Sequence, residues 1–347
     1  MNIRLRRLYN ILLPLAVIVL VMAVLTVGRK CSGDVPYRTD SGFVFGTSYN
    51  ITYQSNESFE ADIKAVLDSV DFSLSPFNKK SIITAVNENR ETEVDNYFIE
   101  VFNLAKRINA ETDGAFDITV APLVNAWGFG FKEGQFPTDK ETDSLRAIVG
   151  LDKVRLEGKK AVKEDPRIML DCSAIAKGYA VDKIAEMLKR HEVKNFLVEI
   201  GGEIVAAGCN KKGKDWSIGV TKPVDDSLSV SCEMQMVMSV TDCAMATSGN
   251  YRNYYIKDGK KYAHTINPKT GRPAESDLLS ATVIATTCAE ADAFATGFMT
   301  MGRARALDIL KRHPEMKYIL IYDDNGKTRC DVSKGLKSPD GTPLTVK

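Results

Sequence analysis

Asp171-Cys-Ser-Ala-Ile-Ala-Lys-Gly-Tyr-Ala-Val-Asp182 is the stretch that decides how the chain is read. Arg167-Ile-Met-Leu170 before it reads as a buried strand. Ala180, Ile184, Met187 and Leu188 after it recur at helical spacing. A strand therefore runs into a helix through a tight turn of small residues that holds Asp171, Lys177 and Gly178. Such a turn presents backbone groups and a lysine to a polar ligand at a helix N-terminus. A second strand and turn follows, Phe196-Leu-Val-Glu-Ile-Gly-Gly-Glu203, and its paired glycines let something approach the backbone closely. Taken alone, the segment is equally an ordinary strand-turn-helix unit.

Outward from it, residues 43–53 alternate with period two, as a strand does. Ser58 is placed to cap a helix with Ile63, Val66, Leu67 and Val70 on one face. Asp95 caps another, carrying Phe98, Val101, Phe102, Ala105 and Ile108, which stops at Thr112-Asp-Gly114. Trp127 and its Gly/Phe neighbours read as a packed corner, and Thr138 with Glu141 as a capping box. Short strands flank Gly158. Beyond Gly208 come strands over 216–220 and 234–240, and a hairpin turning at Asp258-Gly259. Another strand covers 278–285. Thr287 and Glu290 form a second capping box, opening a helix over 288–301. A further helix ends before Pro314, and 318–322 is a last strand. Strands in long antiparallel-looking runs, not in regular alternation with helices, argue α+β over a doubly wound parallel sheet.

The first 30 residues differ. Residues 11–27 are apolar apart from Pro14 and Thr26, with Arg4, Arg6 and Arg7 before them. That is near the lower limit for a spanning helix, and the arginines place the N-terminus in the cytoplasm. The reading is residues 1–30 as a membrane anchor or signal segment, 31–42 as a linker and 43–347 as one domain. An uncleaved anchor is favoured over a cleaved signal peptide or a lipid anchor on Cys31. A formal net charge of +1 and no basic stripe argue against nucleic acid. The seven cysteines contain no Cys-x-x-Cys pair, against a thiolate metal site.

Nucleotide-binding glycine loops, nucleophile elbows and zinc helices are absent. Asp292 and Thr296, at i and i+4, share one helix face, and a carboxylate with a hydroxyl suits a hard cation. They are also readable as a carboxylate favoured by the helix dipole and a threonine bonded back to the Asp292 carbonyl.

Three further segments join the central one: Gly114-Ala-Phe-Asp-Ile-Thr119; Ala246-Thr-Ser-Gly-Asn-Tyr251 with His264-Thr-Ile-Asn-Pro-Lys-Thr-Gly271; and Ala289-Glu-Ala-Asp-Ala-Phe-Ala-Thr296. In this order they resemble the ApbE family, the FAD:protein FMN transferases, from about Phe45 to past Thr296. The resemblance implies an antiparallel-sheet core with flanking helices, and Mg²⁺-dependent transfer of the FMN moiety of FAD to a Thr or Ser hydroxyl of a target protein, with release of AMP. It implies Mg²⁺ held by Asp292, Thr296 and the carbonyls of Ala174 and Ala295. FAD-lining positions would be Phe45, Phe77, Ala115, Phe116, Asp117, Asp171, Lys177 and Ile266. Phe45 replaces the family's Met, Phe77 a tyrosine, and Cys172-Ser173 the more usual Leu-Gly. His264 and Asp292 are the catalytic candidates, His264 for proton handling because histidine titrates near neutrality. A hydrogen-bonded histidine at a strand end is its other reading. The implied setting is a bacterial inner membrane, with the catalytic domain on the periplasmic side. The alternatives are a membrane-tethered FAD-binding protein and an FAD pyrophosphatase.

Overall fold

The computed structural model describes residues 35–130, 136–221, 234–250, 254–257 and 260–344. The expected anchor or signal segment lies outside them. Among the described residues no helix is long and apolar enough to cross a membrane.

The chain opens with a hairpin, β1 (Tyr37–Val44) and β2 (Thr47–Gln54). Two expectations are corrected here. Residues 37–42, read as linker, are strand, and 43–53 is not a single strand. Phe45 and Gly46, at φ 51° and 74°, turn the chain back between Val44 and Thr47.

Helices α1 (Glu60–Leu74), α2 (Ile82–Asn87) and α3 (Asn96–Glu111) follow. Asp95 caps α3 through Phe98 N, and the expected apolar face is buried. Ser58 does not cap α1, whose N-cap is Phe59 with no side-chain bond. Short helices α4 (Ala121–Ala126) and α5 (Asp139–Arg146) come next, α5 with its capping box intact. The ribbon of β3 (Val154–Glu157) and β4 (Lys160–Lys163) leads to the central unit.

That unit lacks its expected strand. Arg167-Ile-Met-Leu170 belongs to no sheet. The Asn87 side chain, at the end of α2, takes a strand's place: its Nδ2 donates to Leu170 O at 2.8 Å and its Oδ1 accepts from Leu170 N at 2.7 Å. Asp171 N then donates to Ile118 O at 2.7 Å. The backbone groups are satisfied without a ladder.

Then come α6 (Ala176–Arg190), β5 (Phe196–Ile200), β6 (Glu203–Ala207), β7 (Trp216–Thr221), β8 (Met234–Val240) and β9 (Cys243–Gly249). Small pairs β10 (Tyr254–Lys257) with β11 (Lys260–Ala263) and β12 (Ile266–Asn267) with β13 (Arg272–Pro273) precede β14 (Leu278–Ala285). The chain closes with α7 (Cys288–Met301), α8 (Arg303–Arg312), β15 (Lys317–Asp324) and β16 (Lys327–Val332). Thr287 caps α7 through Glu290 N, but the second box is only half made, since the Glu290 carboxylate turns to Arg107 at 2.8 Å.

The main sheet runs β1-β2-β5-β6-β9-β14-β15-β16, every neighbour antiparallel. Its strands alternate as period two requires. Val205, Val283 and Leu320 face the helical core, while Ile204, Ile284, Ile319 and Ile321 face the β7–β8 ribbon. The fold is thus α+β, with helices on one sheet face and a ribbon over the other. Helix α7 is buried almost all round, between the sheet and α6.

Candidate active site

Two helix N-termini meet side by side. At Gly178, in the first turn of α6, a Cβ would lie 2.4 Å from Cys288 O and 2.8 Å from Ala289 N of α7. Only glycine lets the two backbones come that close. One turn on, the Asp182 carboxylate accepts from Cys288 N and Ala289 N, both at 2.8 Å. It thereby satisfies two of the orphan donors at the start of α7. Burial pushes Asp182 up to about 6, against the pull of these two N–H groups.

This junction fixes Asp292, which is 2% exposed and accepts from Gly178 N at 3.2 Å. Lys177 Nζ lies 3.7 Å from Asp292 Oδ2 and 2.8 Å from Glu203 Oε1. Glu203 is 2% exposed, whereas the Lys177 side chain is 28% exposed, so the cluster opens on the lysine side. Burial raises Asp292, with Lys177 and the Gly178 N–H pulling back. Burial also raises Glu203, with Asp292 adding to the rise and Lys177 opposing it. For Lys177 burial works against the charge, but Asp292 and Glu203 outweigh it and the pKa is raised. Sequence reading quoted Glu203 without giving it a role. The available signal was a carboxylate heading the otherwise apolar Glu203-Ile-Val-Ala-Ala207.

The other segments converge on the same helix. Thr296, half-buried on α7, shares a hydroxyl contact with Ser248 of β9 at 3.1 Å, not the back-bond to its own helix. Two residues past Ser248, Asn250 accepts from Thr265 at 2.7 Å. Thr265 stands between His264 and Ile266, and β12 packs on α7. His264 is half-buried, with the Phe129 ring 6.5 Å away edge-on, and Ile266 is buried beside Leu123 and Trp127. Trp127 is a packed corner as expected, 6% exposed and donating from Nε1 to Gly271 O at 2.7 Å.

Residues 112–117 sit against α7 as well: a Cβ on Gly297 would meet Thr112 Cγ2 at 3.2 Å and Phe116 Cβ at 3.4 Å. Ala115 and Phe116 are buried. The Asp117 carboxylate accepts from Thr119 N, Thr119 Oγ1, Leu151 N and Asn109 Nδ2. Burial still raises its pKa. The segment therefore offers a ligand its backbone more than its side chains. Asp171 likewise accepts from Ser173 N and Oγ. Phe45 sits at the β1–β2 tip, two residues before Thr47, which abuts Gly201. Phe77, after α1, is 69% exposed.

Among the described residues no group of three His, Cys, Asp or Glu side chains is placed to hold a metal. The expected set is of another kind: one buried carboxylate, Asp292; a hydroxyl, Thr296; and carbonyls from Ala174, before α6, and Ala295, within α7. These hard oxygens come from the residue before the N-cap of α6 and from the first two-thirds of α7, the two helices that meet at Gly178. They fit Mg²⁺, which takes few protein ligands and completes its shell with water and phosphate. Burial raises the Asp292 pKa because it disfavours the bare carboxylate, and a bound cation would offset that cost.

The family model of ApbE matches residues 45–320. The chain belongs to the ApbE family. A Vibrio cholerae relative, an FAD:protein FMN transferase, is 37% identical over 297 residues, 82% of this chain and 88% of its own. The Escherichia coli K12 protein of the same description is 36% identical over 276 residues, 77% of this chain and 78% of its own. The structure of the flavin transferase ApbE from Vibrio cholerae superposes with a TM-score of 0.76 at 34% identity, covering 86% of this chain and 97% of that one. The apo flavinyl transferase ApbE of Pseudomonas stutzeri gives 0.77 at 28% identity, covering 86% and 95%.

Proposed function

We propose that this ApbE-family chain transfers the FMN moiety of FAD to a Thr or Ser hydroxyl of a target protein and releases AMP. The observation that carries this reading is the half-open Lys177–Glu203–Asp292 cluster at the paired starts of α6 and α7. It is a site for a charged, diphosphate-bearing ligand.

In this reading the acceptor oxygen attacks the FMN phosphorus in line, and the bond from that phosphorus to the oxygen of AMP breaks. Lys177, in the first turn of α6, binds the diphosphate. His264 takes the acceptor's proton, since a hydroxyl is a weak nucleophile without a base. Phe45, Phe77, Ile266, Asp171 and the 115–117 backbone line the flavin side. Held by Asp292, Thr296 and the carbonyls of Ala174 and Ala295, Mg²⁺ would neutralise diphosphate charge and ease departure of AMP. The proposed location is the periplasmic face of a bacterial inner membrane, with residues 1–30 as the anchor. Arg4, Arg6 and Arg7 support that orientation. Cys209, which is disulfide-bonded, suits an oxidising compartment.

The test incubates the full chain with FAD, Mg²⁺ and a candidate acceptor, then resolves the proteins under denaturing conditions. A fluorescent acceptor band is expected. Free FMN and AMP without a band would make the chain a pyrophosphatase, and intact FAD a carrier.

A further inference from the structure

Glu203 belongs to the buried cluster but performs no step of the transfer scheme above, yet it lies closer to Lys177 than Asp292 does. It begins β6 directly after Gly201 and Gly202, whose φ values of 63° and 105° make a two-residue hairpin loop. A Cβ at Gly201 would lie 2.8 Å from Thr47 Cγ2 and 3.4 Å from Glu203 Oε2. The glycine thus leaves room where the hairpin, the β1–β2 tip and the carboxylate meet. Glu203 Oε1 takes the Lys177 ammonium at 2.8 Å, while Oε2 is buried with no hydrogen-bond partner among the described residues. A buried carboxylate with an unsatisfied oxygen is destabilising, and an apolar residue of similar size would serve the fold better. Something other than stability accounts for it.

The two distances from Lys177 suggest what. At 2.8 Å the ammonium is hydrogen-bonded to Glu203, whereas 3.7 Å to Asp292 is too long for a hydrogen bond. Two carboxylates and one ammonium carry a net charge of −1. Without Glu203, Lys177 and Asp292 would form a closed neutral pair. Resting on the reading of Asp292 as a cation ligand, we propose that Glu203 is a positioning residue that holds Lys177 on its own Oε1 and so keeps the Asp292 carboxylate available to a divalent cation.

The test is Mn²⁺ and Mg²⁺ binding to the full chain, by calorimetry and by the Mn²⁺ spin-resonance signal, with FAD present and no acceptor. Glu203→Gln should weaken metal binding by about 10–100-fold, the range for groups that support a metal ligand. FAD affinity in chelator should stay essentially unchanged, because Lys177 remains. Glu203→Asp should recover part of the loss. Compared without FAD, which Lys177 helps to hold, the double variant Glu203→Gln, Lys177→Met should bind metal better than Glu203→Gln alone, because the competing ammonium is gone. A merely structural Glu203 gives no such recovery. Circular-dichroism melts identify folded variants, and Glu203→Asp carries the test if Glu203→Gln does not fold. Unchanged metal affinity in Glu203→Gln with loss in Asp292→Asn overturns this proposal and leaves the metal reading standing. Unchanged affinity in both overturns the metal reading and this proposal with it.

Discussion

Two groups of three charges hold this site together, and they are mirror images. In the buried group one ammonium, Lys177, lies between the carboxylates of Glu203 and Asp292. On the rim one carboxylate, Asp113, lies between Lys269 Nζ at 2.6 Å and Arg305 at 2.8 Å. The rim group also joins two of the quoted segments, since Asp113 precedes Gly114 and Lys269 follows His264. Their pKa shifts run in opposite directions. Lys269 and Arg305 pull Asp113 below its ordinary range, whereas burial pushes Glu203 and Asp292 above theirs.

Opposite shifts mean opposite pH dependence. A carboxylate lowered on folding contributes stability above its unfolded value of 3.8, lost as pH falls through the folded one. A carboxylate raised on folding contributes stability below its unfolded value, 3.8 for Asp292 and 4.5 for Glu203, lost as pH rises through the folded one. From acid to neutral pH the rim therefore strengthens while the interior weakens. The same residue types are held charged by their partners where water reaches them, and resist charging where burial excludes it.

The sharpest way to break this contrast is Asp292→Asn. It removes the full charge offered to a cation, and the remaining hydroxyl and carbonyls are neutral dipoles. Metal-dependent transfer should disappear while the chain still folds. Thr296→Ala should be milder and partly rescued by excess Mg²⁺, because water can fill a vacated position. FMN transfer against Mg²⁺ concentration checks both. Wild-type turnover in chelator, or normal Asp292→Asn turnover at low Mg²⁺, would make the buried charges purely structural.

His264→Ala comes next. Outside both charge groups, it should slow transfer by roughly 10²–10⁴ with FAD binding little altered, as for a general base. A wild-type transfer rate would return His264 to its structural reading at the end of β11.

The third variant concerns support of the buried group. Gly178→Ala drives a methyl into the Cys288 carbonyl, and backbone cannot swing aside as a side chain does. A loss of about 1–3 kcal/mol is expected from such overpacking, read by denaturant titration. Unchanged stability would show that α6 and α7 part easily, and that the site is less rigid than the paired N-termini suggest.

The two groups also differ in how far sequence reveals them. Local signals survived folding: Asp95 caps α3, Thr138 and Glu141 close their box, and α7 runs from Cys288 to Met301 as its spacing indicated. Local chemistry governs such features. What failed depends on distant partners. Arg167-Ile-Met-Leu170 has a strand's composition, but Asn87, 83 residues from Leu170, supplies its hydrogen bonds. Ser58 suits a cap, yet the cap position falls on Phe59. Glu203 looks like a strand-end carboxylate until the hairpin brings it under Lys177. Asp292 and Thr296 stood out because i and i+4 on one helix is a local relation. Glu203 had no such relation to either.

The smallest effect is expected on the rim, where Lys269→Ala removes one of the two cations on Asp113. Arg305 remains at 2.8 Å, and the Asp113 side chain is 71% exposed, so water and salt already weaken each pair. The melting temperature should barely move, and any difference from wild type should vanish at high salt. What should change is Asp113 itself. Lys269 is the larger cause of its lowered pKa, so in the variant the carboxyl should titrate closer to its ordinary value, read by NMR. The acid-induced loss of stability from Asp113 should then be smaller and complete at a higher pH, because less of the folded-state preference for the carboxylate remains. A large, salt-insensitive loss of stability would mean that the rim is a cooperative part of the site. Its charges would then belong with the buried three, and exposure would not be what separates the two groups.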